Sequence, residues 1–130
     1  DDRKALIIHR TAHHYLLLNR YPYNPGHLLI IPFREVGRVQ ELEADERLDM
    51  MDLIGFSQDI LSRAIAPDGF NVGFNFGHAG GASIPKHLHC HVVPRWNGDS
   101  TFISVIGKTR TLPQALDLTW EALTKAIAHA

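Results

Sequence analysis

Cysteine occurs once in this 130-residue chain, as Cys90, so no internal disulfide framework can hold it together. A reducing, cytoplasmic setting is the expectation that follows. No apolar run approaches the roughly 18 residues a membrane span requires, and a membrane partner is not expected. Neither sign of charge dominates: 13 Lys and Arg stand against 14 Asp and Glu, which leaves no electrostatic case for wrapping a nucleic acid. A small phosphorylated ligand remains compatible with that balance. The chain opens Asp1-Asp2-Arg3-Lys4 without a signal-peptide pattern, and it contains no internal repeat, low-complexity tract or linker. Residues 1–130 therefore read as one domain, long enough to bury about two-thirds of its unfolded surface.

What is present is histidine, nine in all, three of them alternating in Lys86-His87-Leu88-His89-Cys90-His91-Val92-Val93-Pro94. In a strand, successive side chains point to opposite faces, so the three imidazoles would share one face and Leu88, Cys90 and Val92 the other. Neighbouring imidazoles would then lie about 6.6 Å apart and the outer pair about 13 Å. Two could converge on one zinc ion; a regular strand could not bring all three to it. The row suits an extended ligand such as a polyphosphate better, and the alternative is a polar face turned to water. Cys90, on the inward set, reads as a small buried hydrophobe.

The remaining pattern predicts an α+β fold, an antiparallel sheet with helices on one face. Residues 5–8, 15–18 and 27–31 read as strands, the last stopped by Pro32, with Pro25-Gly26 as a tight turn before it. Residues 45–65 read as one long inserted helix whose apolar stripe is Leu48, Met51, Ile54, Leu61 and Ile65. Alternation over residues 70–76 predicts a half-buried strand with Asn75 on its polar face. Glycines in the following loop, Gly77 to Ser83, would let the N–H groups around Gly81 and Ala82 turn toward an anion, with the Ser83 hydroxyl as a further donor. Residues 101–106 read as a further strand. Thr111 reads as the cap of a terminal helix with a stripe of Leu112, Ala115, Leu116, Trp120, Leu123 and Ile127. His9, His13, His14, His78 and His129 read as surface or turn residues, and Lys86, Arg95 and Lys108 as surface cations.

His87-Leu88-His89-Cys90-His91-Val92-Val93 resembles the signature of the histidine-triad (HIT) superfamily of nucleotide hydrolases and transferases at every position. The resemblance extends from Ile8 to about Val105, through Leu18-Asn19-Arg20, Asn24-Pro25-Gly26-His27, Pro32, Asn75 and Pro94-Arg95. It implies that His89 is the nucleophile, attacking the α-phosphorus of a nucleotide to form a covalent nucleotidyl-histidine. His91 would contact the phosphates and leaving group, with His87 and His27 as a hydrogen-bonded pair behind the nucleophile. Asn19 would contact ribose, and Asn75 the phosphates.

Ser83 stands where several branches of the family have a glutamine, and the glycine loop is one residue longer. The Cys-x-x-Cys zinc site of many bacterial relatives is missing, and Glu35 stands where they supply a histidine, so no structural zinc is expected. No cofactor is expected to be required, with Mg²⁺ accompanying a polyphosphate substrate. Residues 80–85 and 94–99 look most like the branch of diadenosine tetraphosphate phosphorylases and related hydrolases, which implies cleavage of a dinucleoside polyphosphate and a homodimer. The alternatives are a Hint-like phosphoramidase, a nucleotide-binding regulator with slow turnover, and a metal-dependent hydrolase using two of the histidines.

Overall fold

The computed structural model describes residues 1–99 and 112–129. Among the described residues five antiparallel strands form one sheet in the order β1-β2-β3-β5-β4, comprising β1 (Ile7–Arg10), β2 (His14–Leu18), β3 (Leu28–Pro32), β4 (Gly69–Phe74) and β5 (Cys90–Arg95). Between β3 and β4 lie a single 3₁₀ turn (Val39–Glu41) and the long helix α1 (Ala44–Ile65); helix α2 (Leu112–Ala128) follows β5. This is the expected α+β arrangement of an antiparallel sheet with an inserted and a terminal helix. No helix among the described residues is long and apolar enough to cross a membrane.

Strand alternation decides which face is core. Leu16, Ile30 and Cys90 stand opposite one another across β2, β3 and β5, as do Leu18, Leu28 and Val92, and all six are buried. The other face carries the row Leu17, Leu29, His91 and Gly73 and remains partly open. His14 has the parity of Leu16 and Leu18, which is why it is fully buried rather than a surface residue as expected. Its Nδ1–H donates to Asp49 on α1 at 2.7 Å.

Helix α1 departs from its expected stripe. The buried side is Glu46, Met50, Leu53, Ser57, Ile60 and Leu61, while Leu48 and Met51 are 64% and 66% exposed. Two polar residues lie on the packed face, so hydropathy alone points to the wrong side. Glu46 is neutralised there by Arg34 at 2.6 Å, and the Ser57 hydroxyl donates to the Leu53 carbonyl. Glu46 also caps the helix start by accepting from the Glu43 N–H.

Strand boundaries shift for local reasons. β1 begins at Ile7 because the N–H groups of Ala5 and Leu6 are spent in turns, on the carbonyls of Asp1 and Arg3. β3 includes Pro32 and begins after His27, whose N–H returns to the Asn24 carbonyl. β4 stops at Phe74 and is a sheet edge, so Val72 is 41% exposed although it shares the core-facing row of Val92. The strand expected at 101–106, Thr111, Lys108 and the side chains of Leu112 and Ala115 lie outside the described residues.

Candidate active site

Only His91 of the three alternating histidines lies within a strand. His87 and His89 precede β5, because the His87 N–H closes a turn onto the Ile84 carbonyl and the Leu88 N–H goes to the Val36 carbonyl at 2.7 Å. The side chains alternate nonetheless: Leu88, Cys90 and Val92 are buried, and the three imidazoles are half-buried on the opposite face. Burial pushes the Cys90 thiol up to about 12, which leaves it an inert core residue.

The hydrogen bonds fix each ring's tautomer. His89 Nδ1 lies 2.5 Å from the His87 carbonyl, which can only accept. The proton of neutral His89 is therefore on Nδ1, and Nε2 carries a free lone pair. His87 donates from Nε2 to the Pro32 carbonyl at 2.9 Å.

His27 receives the Tyr23 N–H on Nδ1 at 3.2 Å and so donates from Nε2 to His91 Nδ1 at 2.9 Å. His91 must then carry its own proton on Nε2. His89 thus presents a free Nε2 lone pair and His91 an Nε2–H. Burial, and then the adjacent His91, hold His27 down at about 4; burial is also the first cause lowering His89 and His91. All three are neutral at pH 7.

The pairing differs from expectation. His27 is bonded to His91, not to His87. The β3–β5 register sets Leu29 opposite His91, so His27, two residues before Leu29 on the same face, lies diagonally beside His91. His87 lies four residues further along its own segment.

Asn19 comes to the same cluster. Its Oδ1 accepts from the Tyr21 N–H at 3.0 Å, and its Nδ2 is 3.4 Å from His27 Nδ1. Asn75 is exposed just beyond β4, its amide 3.7 Å from the position a Cβ on Gly81 would take. The expected anion cradle is otherwise engaged: the N–H groups of Gly81 and Ala82 donate to the carbonyls of His78 and Gly77, both at 3.0 Å. Short loops satisfy their own donors in this way. Ser83 and His78 are exposed.

Three features escaped the sequence reading. Tyr23 supplies the N–H that sets the His27 tautomer and stacks its ring on His27 at 5.2 Å. Asn24, in the turn before His27, donates to both Asp99 and the Pro94 carbonyl at 2.8 Å, and Asp99 in turn accepts from Arg95 and the Trp96 N–H. This buried network ties the His27 turn to the end of β5. Ile7, Leu17 and Leu29 make an apolar row leading to His91, a pattern strand alternation could have revealed.

A neutral imidazole with a free Nε2, a donor imidazole beside it and an open sheet face define a histidine-triad protein. The sequence model of the HIT domain family matches residues 2–98, and the chain belongs to that family. It is 45% identical over 119 residues to the AP-4-A phosphorylase of Mycobacterium tuberculosis, spanning 89% of this chain and 60% of that protein. It is 30% identical to the asymmetrical bis(5'-nucleosyl)-tetraphosphatase of Schizosaccharomyces pombe, over 72% of this chain and 50% of that protein. The chain thus spans half to three-fifths of the length of these relatives. The fold is that of Plasmodium falciparum diadenosine triphosphate hydrolase in complex with cyclomarin A, with a TM-score of 0.81 at 22% identity, over 99% of this chain and 79% of that one.

Proposed function

We propose that the chain is a nucleotidyl-transfer enzyme that cleaves a dinucleoside polyphosphate, such as diadenosine tetraphosphate, at a phosphoanhydride bond through a covalent intermediate on His89. The observation that carries this reading is the single proton of His89, committed to the His87 carbonyl, which leaves Nε2 free to attack. The Nε2 lone pair forms a bond to the α-phosphorus. The bond from that phosphorus to the bridging oxygen breaks, and its electron pair leaves with the polyphosphate. His91 Nε2–H donates a hydrogen bond to the departing oxygen, which leaves as the polyphosphate anion, and the His87 carbonyl steadies the positive charge His89 acquires. Water, losing a proton to solvent, or inorganic phosphate then attacks the phosphorus; the N–P bond breaks with its electron pair returning to Nε2, which restores neutral His89.

Asn75 and Ser83 are the side-chain donors for the phosphates, Asn19 contacts ribose, and the Ile7–Leu17–Leu29 row seats the first base. The N–H groups of Gly81 and Ala82 join only if the loop opens its internal bonds. The chemistry needs no resident metal; Mg²⁺ accompanies the polyphosphate. The 45% identity to a protein named as a phosphorylase supports phosphate as the acceptor. Residues 1–130 act as one catalytic domain in the cytoplasm, in keeping with nucleotide substrates and a lone buried thiol. Two copies pair across the exposed β4 edge, supported by its exposed Val72.

One incubation with diadenosine tetraphosphate, with and without inorganic phosphate, tests the reading by product mass. ADP that forms only with phosphate is expected; AMP formed without phosphate would make the enzyme a hydrolase. No cleavage under either condition would remove the proposal.

A further inference from the structure

The site has a direction. Asn19, Leu17 and Leu29 lie at the His91 end, and from there the imidazoles run through His89 to His87, whose ring ends on the Pro32 carbonyl. There the Leu88 N–H bond to Val36 brings the segment after β3 alongside. Beyond this end a cleft of about 550 Å³ opens. Gly37, Arg38, Val39 and Gln40 form one wall; Phe76 and Pro85 form the other. Its volume falls within the range of small-molecule sites, roughly 300–1,000 Å³.

The walls are built by two close approaches. A Cβ on Gly37 would stand 2.7 Å from the Pro85 carbonyl oxygen, so the two walls touch where only glycine fits. A Cβ on Gly80 would stand 2.2 Å from the Phe76 carbonyl oxygen, so the loop folds tightly onto the Phe76 backbone.

Inside the cleft an aromatic ring, an aliphatic side chain and a cation come together. Phe76 is 46% exposed, and its ring is supported by stacking on Phe74 at 5.5 Å; Val39, across the cleft, is 37% exposed. A supported aromatic ring with solvent on it is a stacking platform for a base. Arg38 is exposed and makes no ion pair among the described residues; its guanidinium meets only the neutral amide of Gln40. A cation left unneutralised at the wall of this cleft complements a polyphosphate.

We infer that the cleft between Val39 and Phe76 seats the second nucleoside of the substrate, the one that departs with the polyphosphate, with Arg38 on its terminal phosphate. This rests on the reading that the site cleaves dinucleoside polyphosphates. It makes the enzyme selective for dinucleotides over nucleotides with the same phosphate chain and no second nucleoside. The triad alone would confer no such preference, because it meets only the first nucleotide and the phosphates.

The test compares diadenosine tetraphosphate with adenosine 5'-tetraphosphate, which has the same phosphates and lacks the second adenosine. Wild-type enzyme is expected to have a KM about 10-fold lower for the dinucleotide, the scale of one base–aromatic stack. Phe76→Ala, at a half-exposed position, should bring the two KM values together while kcat changes little. Val39→Glu, on the opposite wall, should do the same and serves if Phe76→Ala does not fold. Equal KM values in the wild type, or a ratio unmoved in both variants, would overturn the inference and leave the underlying reading intact. Turnover of neither compound by wild-type enzyme would overturn both.

Discussion

Protonating His27 would set an N–H on Nδ1 against the Tyr23 N–H and put a charge in a fully buried ring; the ring therefore stays neutral down to about 4. In the unfolded chain the same imidazole takes its proton near the ordinary 6.5. As pH falls below 6.5, the unfolded state binds the proton first, so stability declines through the window and the loss is complete below about 4. The check is the urea midpoint at pH 7.5 and 4.5 for wild type and His27→Gln: the variant should lose less between the two. An equal loss would show that His27 is not the group responsible. His89 is also held below its ordinary range, so the acid limb of activity, which reports its protonation, should fall below pH 6.5. A kcat/KM profile measures that limb directly.

At the level of elements, the turn that carries His27 is secured by Asn24, whose amide meets Asp99 and the Pro94 carbonyl. Asn24→Ala takes a donor from both buried acceptors, Asp99 keeping only Arg95 and the Trp96 N–H, and should cost about 1–3 kcal/mol in urea unfolding. It should also raise KM, because Asn19, His27 and Tyr23 all sit in that turn. Leu53→Ala on the packed face of α1 should cost about 2–5 kcal/mol by the same measurement. A smaller effect would mean that α1 packs through another face.

The sequence made α1 visible through its period but not its buried side, because Glu46 and Ser57 occupy the packed face and find partners only after folding. His14 is hidden for a related reason: a polar residue with core parity is legible as core only once Asp49 is known to meet it. The alternation of the histidines was legible in full, being a local property of the backbone. That His27 pairs with His91 was not, since it follows from the register between β3 and β5, strands more than 50 residues apart in sequence. Glycine content alone does not reveal that Gly81 and Ala82 spend their N–H groups inside the loop.

For the whole molecule, the two sheet edges differ. At β1 the Ile7 carbonyl is taken by the Trp120 indole N–H at 3.0 Å, whereas β4 is the other end strand among the described residues, with Val72 exposed on it. The proposed two-fold dimer joins β4 to β4, and light scattering should give twice the 14.6 kDa of this chain. Val72→Lys should return the monomer; a monomeric wild type would remove the dimer from the account.

The central claim is that His89 Nε2 becomes bonded to the nucleotide. Rapid acid-free quenching of enzyme with diadenosine tetraphosphate, followed by intact-mass and peptide analysis, reads it directly. A gain of one adenylyl group on the peptide containing His89, absent in His89→Asn with its turnover reduced by about 10⁴-fold or more, is the expected result. Normal turnover by His89→Asn, or an adenylyl group carried elsewhere, would contradict it.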